Sequence, residues 1–462
     1  MNIQISTMYN CFIKSNMNKI LTLLLVLFVA TNLYAQERYY VSTTGNNLDG
    51  LTWESAFTDV QTAIDVASQN ASEWNQIEIW ISKGTYAHGA PMKMASYISL
   101  IGGFVGTEND PSERIFAEET IFTGEGRYTV FENIFTADEP LLGASIEDIT
   151  ILDGFTSNDN SAAAFHNEFS ELSIFSCKIQ NNQSNGISSS GAIYNFCSYI
   201  SVYNSDFSFN STNGVYSKGG AIQNKWNSDL YIENTLFSFN SSAYGGGAIS
   251  NDDGSKMQVH SSSFTGNSTG SWGGCSIYSS RSYDYAEIYS DNREEIFITS
   301  CDFSGATTSS SGGAYIVAGE SKITVEASNF YWFSGFSAIS TSHECNINKC
   351  NFEDGDGIML TSNGNLNIKN SSFLNNKVAI QCSGKTNIVN STFSSNEIAI
   401  KNFSEKLEII HSVFYKNSEY ALQNIDGGYL EALSSIFWAN GTTVNDQIKD
   451  IDFNYNLFYC IM

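Results

Sequence analysis

Hydrophobic residues recur along this chain in columns that repeat about every 21 residues over its second half. The alignment is anchored on Ile179, Phe207, Phe237, Phe264, Phe303, Phe330, Phe352, Phe373, Phe393, Phe414, Phe437 and Phe458. Late spacings are 20 to 23 residues, and earlier ones are longer and irregular. Five residues before the anchor every position is apolar, from Ile174 and Val202 to Ala432 and Phe453. Seven before it, Thr386 is the one polar member. Positions −7 and −5 share one strand face, whereas −2 and 0 share the opposite parity. Both pairs face one core only if the chain turns a corner between them. Asn204, Asn234, Asn370 and Asn390 stand in that gap, and Asn tolerates the left-handed conformation of a tight corner.

Position −2 is small, as at Cys177, Ser205, Thr235, Ser371 and Ser412. Three residues after the anchor stand Asn182, Asn210, Asn240, Asn267, Asn376, Asn396, Asn417 and Asn440, a series broken by Ala306, Phe333 and Gly355. Stacked amides there are expected to donate to the Asn one rung below, satisfying buried polar groups. A third strand follows in most rungs, as in Gly191-Ala192-Ile193, Gly220-Ala221-Ile222, Gly247-Ala248-Ile249, Ala379-Ile380 and Ala399-Ile400. Three strands and two bends per rung predict an all-β fold, a right-handed parallel β-helix with three strands per coil. Phe57, Val60, Ile64 and Ala67 are spaced as one helix face, and a helix there would cap the first open coil.

The pairing of Gly219-Gly220-Ala221-Ile222 with Phe237-Ser238-Phe239-Asn240 resembles the repeats of chlamydial polymorphic outer-membrane proteins. Residues 37–155 resemble the N-terminal module of secreted β-helix proteins of the Bacteroidota. The matching residues are Tyr40-Val41-Ser42, Gly45, Trp53, Ala56-Phe57, Gly84-Thr85-Tyr86, Ile101-Gly102-Gly103-Phe104 and Gly106-Thr107-Glu108. Together the two resemblances cover nearly all of the chain after its leader. They imply the pectate-lyase-like superfamily fold, and they do not imply lyase activity.

Charge narrows the partners. Lys and Arg total 22 against 48 Asp and Glu, a formal net charge of -26. Such a surface repels nucleic acid phosphates, so no nucleic acid partner is expected. Met17-Asn18-Lys19, an apolar run over 20–30 and Ala35-Gln36 read as a signal peptide over residues 1–35, with a true start at Met17. No later segment is apolar enough to span a membrane. The division expected is therefore 1–35 leader, 36–155 N-terminal cap and irregular first coils, and 156–462 regular coils. The chain ends at Phe458-Tyr459-Cys460-Ile461-Met462 inside a rung, which suggests a missing C-terminal part. An exported protein at the outer-membrane surface or outside the cell follows from these features.

Chemistry is sparse. After residue 127 the only Arg are Arg281 and Arg293, and His260, His343 and His411 fall on different rungs. No hydrolytic triad or zinc spacing stands out, so no catalytic residue is assigned. Asp354-Gly355-Asp356-Gly357 reads as a tight turn. Asp252-Asp253 reads first as a solvated turn and second as a calcium site. The insertion between Ile277 and Ile296 carries Tyr283, Asp284, Tyr285, Tyr289 and Asp291, which read first as a self-packing loop and second as aromatic faces beside carboxylates that suit sugars. Tyr415, Trp438 and Tyr459 each follow an anchor and are expected to form an outward ladder, either a sugar platform or the seat of a further C-terminal segment. Cys177, Cys301, Cys345, Cys350 and Cys382 fall in inward columns and are read as buried free thiols. The function expected is adhesion or interaction, with polysaccharide or cell-surface glycan as partner. The alternative is a polysaccharide lyase or glycoside hydrolase.

Overall fold

The computed structural model describes residues 37–115, 119–271, 273–280, 295–308, 314–331, 337–404, 406–425, 429–441, 447–450 and 455–461. The leader read over 1–35 lies outside them. The chain winds into a right-handed parallel β-helix. Among the described residues its strands form four sheets, of 16, 14, 13 and 6 members. One coil shows the order: Tyr199–Tyr203 in a first sheet, Asp206–Ser208 in a second, Ser211–Thr212 in a short corner sheet and Ile222–Lys225 in a third. The corner sheet was not legible as a strand column, because each member has only two residues. Among the described residues it occurs only in the long coils.

Left-handed residues make the corners. Position −3 has φ between 48° and 56° at Ser176, Asn204, Asn234, Ser261, Ser300, Ala327, Lys349, Asn370, Asn390, His411 and Ser434. The expected Asn corners are among them. A second corner, two residues after the anchor, repeats the device at Asn181, Phe209, Phe239, Asp354, Asn375 and Ser395. Asp354 thus occupies a turn, as expected.

The anchors lie over one another. Phe207 to Phe437 form a stack of rings whose neighbouring centroids are 4.6 to 5.1 Å apart. That is the strand spacing itself, since each ring rides on one backbone rung. Upstream the column continues through Ile179, Ile151 and Phe122 to Tyr86. Each buried Phe contributes about 1.5–3 kcal/mol. Phe458 departs from the column: it pairs with Leu433 on the first sheet and is exposed, while Leu457 takes the place expected for Phe453. The repeat misleads here because the final coil is longer: Leu430 pairs with Leu407 on one side and with Tyr455 on the other, so more residues separate the last pair.

The Asn column is a buried ladder. Asn376 donates from Nδ2 to Asn396 Oδ1 at 3.0 Å, and Asn396 to Asn417 at 2.9 Å. Each amide donates toward the following coil and to an anchor carbonyl of the preceding one, as Asn240 does to Phe207 at 2.8 Å. The ladder therefore clamps both neighbours rather than only the rung below. Where it breaks at Gly355, Met359 fills the space, its sulfur 2.1 Å from where a Cβ would stand.

The helix Val60–Ala67 buries Val60, Ala63, Ile64 and Ala67 against the first coils, with Asp59 as its N-cap. Phe57 is buried ahead of the helix, bridged to Val41. No helix among the described residues is long and apolar enough to cross a membrane.

The thiols of Cys177, Cys275, Cys301, Cys345, Cys350 and Cys382 are buried and free. Burial pushes Cys177, Cys275 and Cys301 up to about 12, and Cys350 and Cys382 to about 11, from 9.0. The unfolded chain therefore ionises first as pH rises. Stability from these groups is complete below pH 9.0 and is lost as pH climbs toward 11 to 12, by about 1.4 kcal/mol per thiol per pH unit. The urea midpoint should hold to pH 9 and then fall. Replacing Cys177, Cys301 and Cys350 by Ser, the residue this column carries at Ser371 and Ser391, should flatten the decline. An unchanged slope would contradict the assignment.

Candidate functional site

The long coils build a cleft on the outer face of the third sheet. Successive strands bring His166, Tyr194, Gln223, Ser250 and Tyr278 into one outward row. Loops ahead of these strands fold over the row and carry Tyr216, Lys218 and Tyr244. The Gly-Gly pairs dictate this path. Gly219 and Gly246 have φ of 65°, and a Cβ on Gly220 would lie 2.1 Å from the Gly247 carbonyl oxygen of the next coil. Stacked loops at that separation admit only glycine. Gly245 likewise leaves room for the ring of Tyr278, 2.8 Å from its missing Cβ.

The cleft encloses about 360 Å³, near the lower end of small-ligand sites. Its deepest group is an ion pair. Lys218 Nζ lies 3.3 Å from Asp252 Oδ1 and 2.8 Å from Ser280 Oγ, and 5.0 Å from the centre of the Tyr278 ring. Asp252 is 1% exposed and also accepts from Ser250 Oγ and from the Ser280 N–H. Burial alone would lower the Lys218 pKa, but the Asp252 carboxylate more than offsets it and holds the ammonium above its ordinary value. A lysine kept protonated is no proton-abstracting base. Tyr194 and Tyr278 are raised chiefly by burial, so both phenols stay neutral donors. Gln223 is 2% exposed and its Oε1 has no partner. In the same cleft Tyr216, 59% exposed, sets its ring 5.5 Å from that of Tyr244.

Asp252 and Asp253 are both buried, so the expected solvated turn is corrected: the overlying loops of the long coils cover it. Asp252 meets an ammonium and two hydroxyls, where a calcium ion would need further oxygens. No cluster of three or more His, Cys, Asp or Glu suited to a metal occurs among the described residues. Tyr283, Asp284, Tyr285, Tyr289 and Asp291 lie outside the described residues. Tyr415 and Trp438 pair on adjacent rungs of the second sheet, outward as expected. Tyr459 does not join them. It follows Phe458 at a left-handed corner of the first sheet, 88% exposed, so the ladder has two rungs rather than three.

Two further groupings emerge. Ser161 Oγ, His166 and Glu168 are linked at 3.2 and 3.1 Å, a relay by distance, but Ser161 is buried. Phe175, Tyr203, Tyr231, His260 and Phe297 form a ribbon across the first sheet, centroids 5.0 to 5.9 Å apart. Phe175 and Tyr203 stack face to face, so that end of the ribbon ties strands together. The cleft tyrosines escaped the sequence reading, although Tyr216 and Tyr244 each stand just ahead of a Gly-Gly pair, a signal available in retrospect.

Residues 286–437 match the family described as the right-handed beta helix region. No curated protein matches the sequence. Among solved structures, tailspike protein 3 of bacteriophage CBA120 is 11% identical with a TM-score of 0.48, over 87% of this chain and 59% of the tailspike. The chain thus spans somewhat over half of that protein. PfbA, a surface adhesin of Streptococcus pneumoniae, is 12% identical with a TM-score of 0.32, over 84% and 89%. A mannuronic acid specific polysaccharide family 6 lyase from human gut microbiota is 9% identical with a TM-score of 0.34, over 91% and 85%. None of the three reaches a TM-score of 0.5. What the family match and the coordinates together establish is the fold, a right-handed parallel β-helix.

Proposed function

We propose that this is an exported glycan-binding protein, a rigid rod that presents the third-sheet cleft to a saccharide at or outside the cell surface. The observation that carries the reading is the buried Gln223 carbonyl without a partner, in a cleft that two tyrosine rings also line. A buried acceptor left unpaired costs about 1–3 kcal/mol, and a sugar hydroxyl supplies its donor while aromatic rings cover the apolar ring face. Binding rather than turnover is favoured because Lys218 and Asp252 are committed to each other.

The test is a glycan array followed by calorimetry on the full mature chain. Wild type should bind at least one oligosaccharide without releasing reducing-end or unsaturated products. Replacing Tyr216 and Tyr244 together by alanine should weaken binding about 5- to 100-fold, from about 0.5–1.5 kcal/mol per ring. The unfolding midpoint should not move. Product release, or binding indifferent to the double substitution, would end this reading.

A further inference from the structure

Building on the glycan-binding reading, we infer that the cleft selects uncharged sugars over uronates, and that the Lys218–Asp252 pair sets this preference. The four charged side chains lining it, Lys218, Lys225, Asp252 and Asp253, sum to zero. The one deep cation is spent. Its ammonium meets Asp252, Ser280 and the face of Tyr278, and its side chain is only 16% exposed against 2% for Asp252. A uronate carboxylate seeking that ammonium must displace a buried carboxylate from it, and breaking such a pair leaves an uncompensated charge. Lys225, at the half-exposed margin, is a screened cation.

Gln223 adds a point of recognition for saccharide hydroxyls. Its unpartnered Oε1 requires a donor, which a ring hydroxyl or an acetamido N–H supplies. The discrimination against uronates lies in the ion pair. The chain's net charge of -26 adds a long-range penalty for polyanions. The occupant assigned is therefore a neutral, hydroxyl-rich saccharide.

The experiment is a calorimetric comparison of neutral gluco-, xylo- and manno-oligosaccharides with oligogalacturonate and oligomannuronate on the mature chain, in low and high salt. Wild type should bind a neutral sugar at least 10-fold more tightly than any uronate, at both salt concentrations. Asp252→Asn frees the Lys218 charge and should raise the ratio of uronate to neutral-sugar affinity at least 10-fold. Uronate binding equal to or tighter than neutral binding overturns the inference while leaving the glycan reading intact. A folded Asp252→Asn protein with no rise in the uronate-to-neutral ratio also overturns it. Absence of binding to every sugar overturns both. If Asp252→Asn does not fold, the wild-type comparison alone decides.

Discussion

Phe393→Ala is expected to destabilise the rod by about 3–5 kcal/mol, the cost of a large cavity in a packed core. Phe393 is fully buried and stacks at 4.8 Å on both Phe373 and Phe414, with ring planes within 4°. Removing it strips one face from each neighbour and leaves a gap that strand pairing on both sides prevents from closing. Because each coil contacts chiefly its neighbours, the loss falls on the two interfaces of this coil and weakens coupling between the two halves of the rod. Urea unfolding followed by circular dichroism should show an earlier and broader transition. Tyr415→Ala, an exposed ring on the adjacent rung, should shift the midpoint by less than about 1 kcal/mol. Equal effects for the two would mean that the Phe column is not the core.

Asn396→Ala is expected to be comparably severe, by about 3–6 kcal/mol, although it removes almost no apolar area. Asn396 donates from its N–H and Nδ2 to Asn417 Oδ1, and from Nδ2 to the Phe373 carbonyl. Its Oδ1 accepts from both the N–H and the Nδ2 of Asn376. Alanine leaves two buried donors on Asn376 without partners, each costing about 1–3 kcal/mol, and takes one of its bonds from the Phe373 carbonyl. A control lies nearby. Asn390 joins an exposed amide ladder with Asn370 and has φ of 50°. Asn390→Gly keeps the left-handed corner, and water replaces the lost hydrogen bond, so its cost should stay near or below about 1 kcal/mol. The same denaturation series reads both.

Most of the scaffold was legible because stacked coils give equivalent positions equivalent surroundings. The Phe column, the Asn corners and the inward cysteines are each set by the geometry of one rung, so spacing alone exposes them. Features that depend on what the neighbouring coil does were not legible. Asp252 looks like a turn in its own coil, and is buried only because a loop from the previous coil, carrying Lys218, lies over it. Phe458 fits the count of residues yet not the register, because strand pairing follows Leu430↔Tyr455 rather than the anchor spacing. Gly355 breaks the Asn series for a reason carried by Met359 in the following strand. The irregular early spacings, which blurred the repeat, are the long coils whose extra residues form the corner strands and wall the cleft.

Saccharide binding in the cleft is tested most directly by a crystal structure of the mature chain bound to its tightest oligosaccharide. A sugar ring is expected in the third-sheet cleft, flanked by Tyr216 and Tyr244, with a hydroxyl donating to Gln223 Oε1. A saccharide seated elsewhere on the rod, for instance against Tyr415 and Trp438, with none in the cleft, would contradict it.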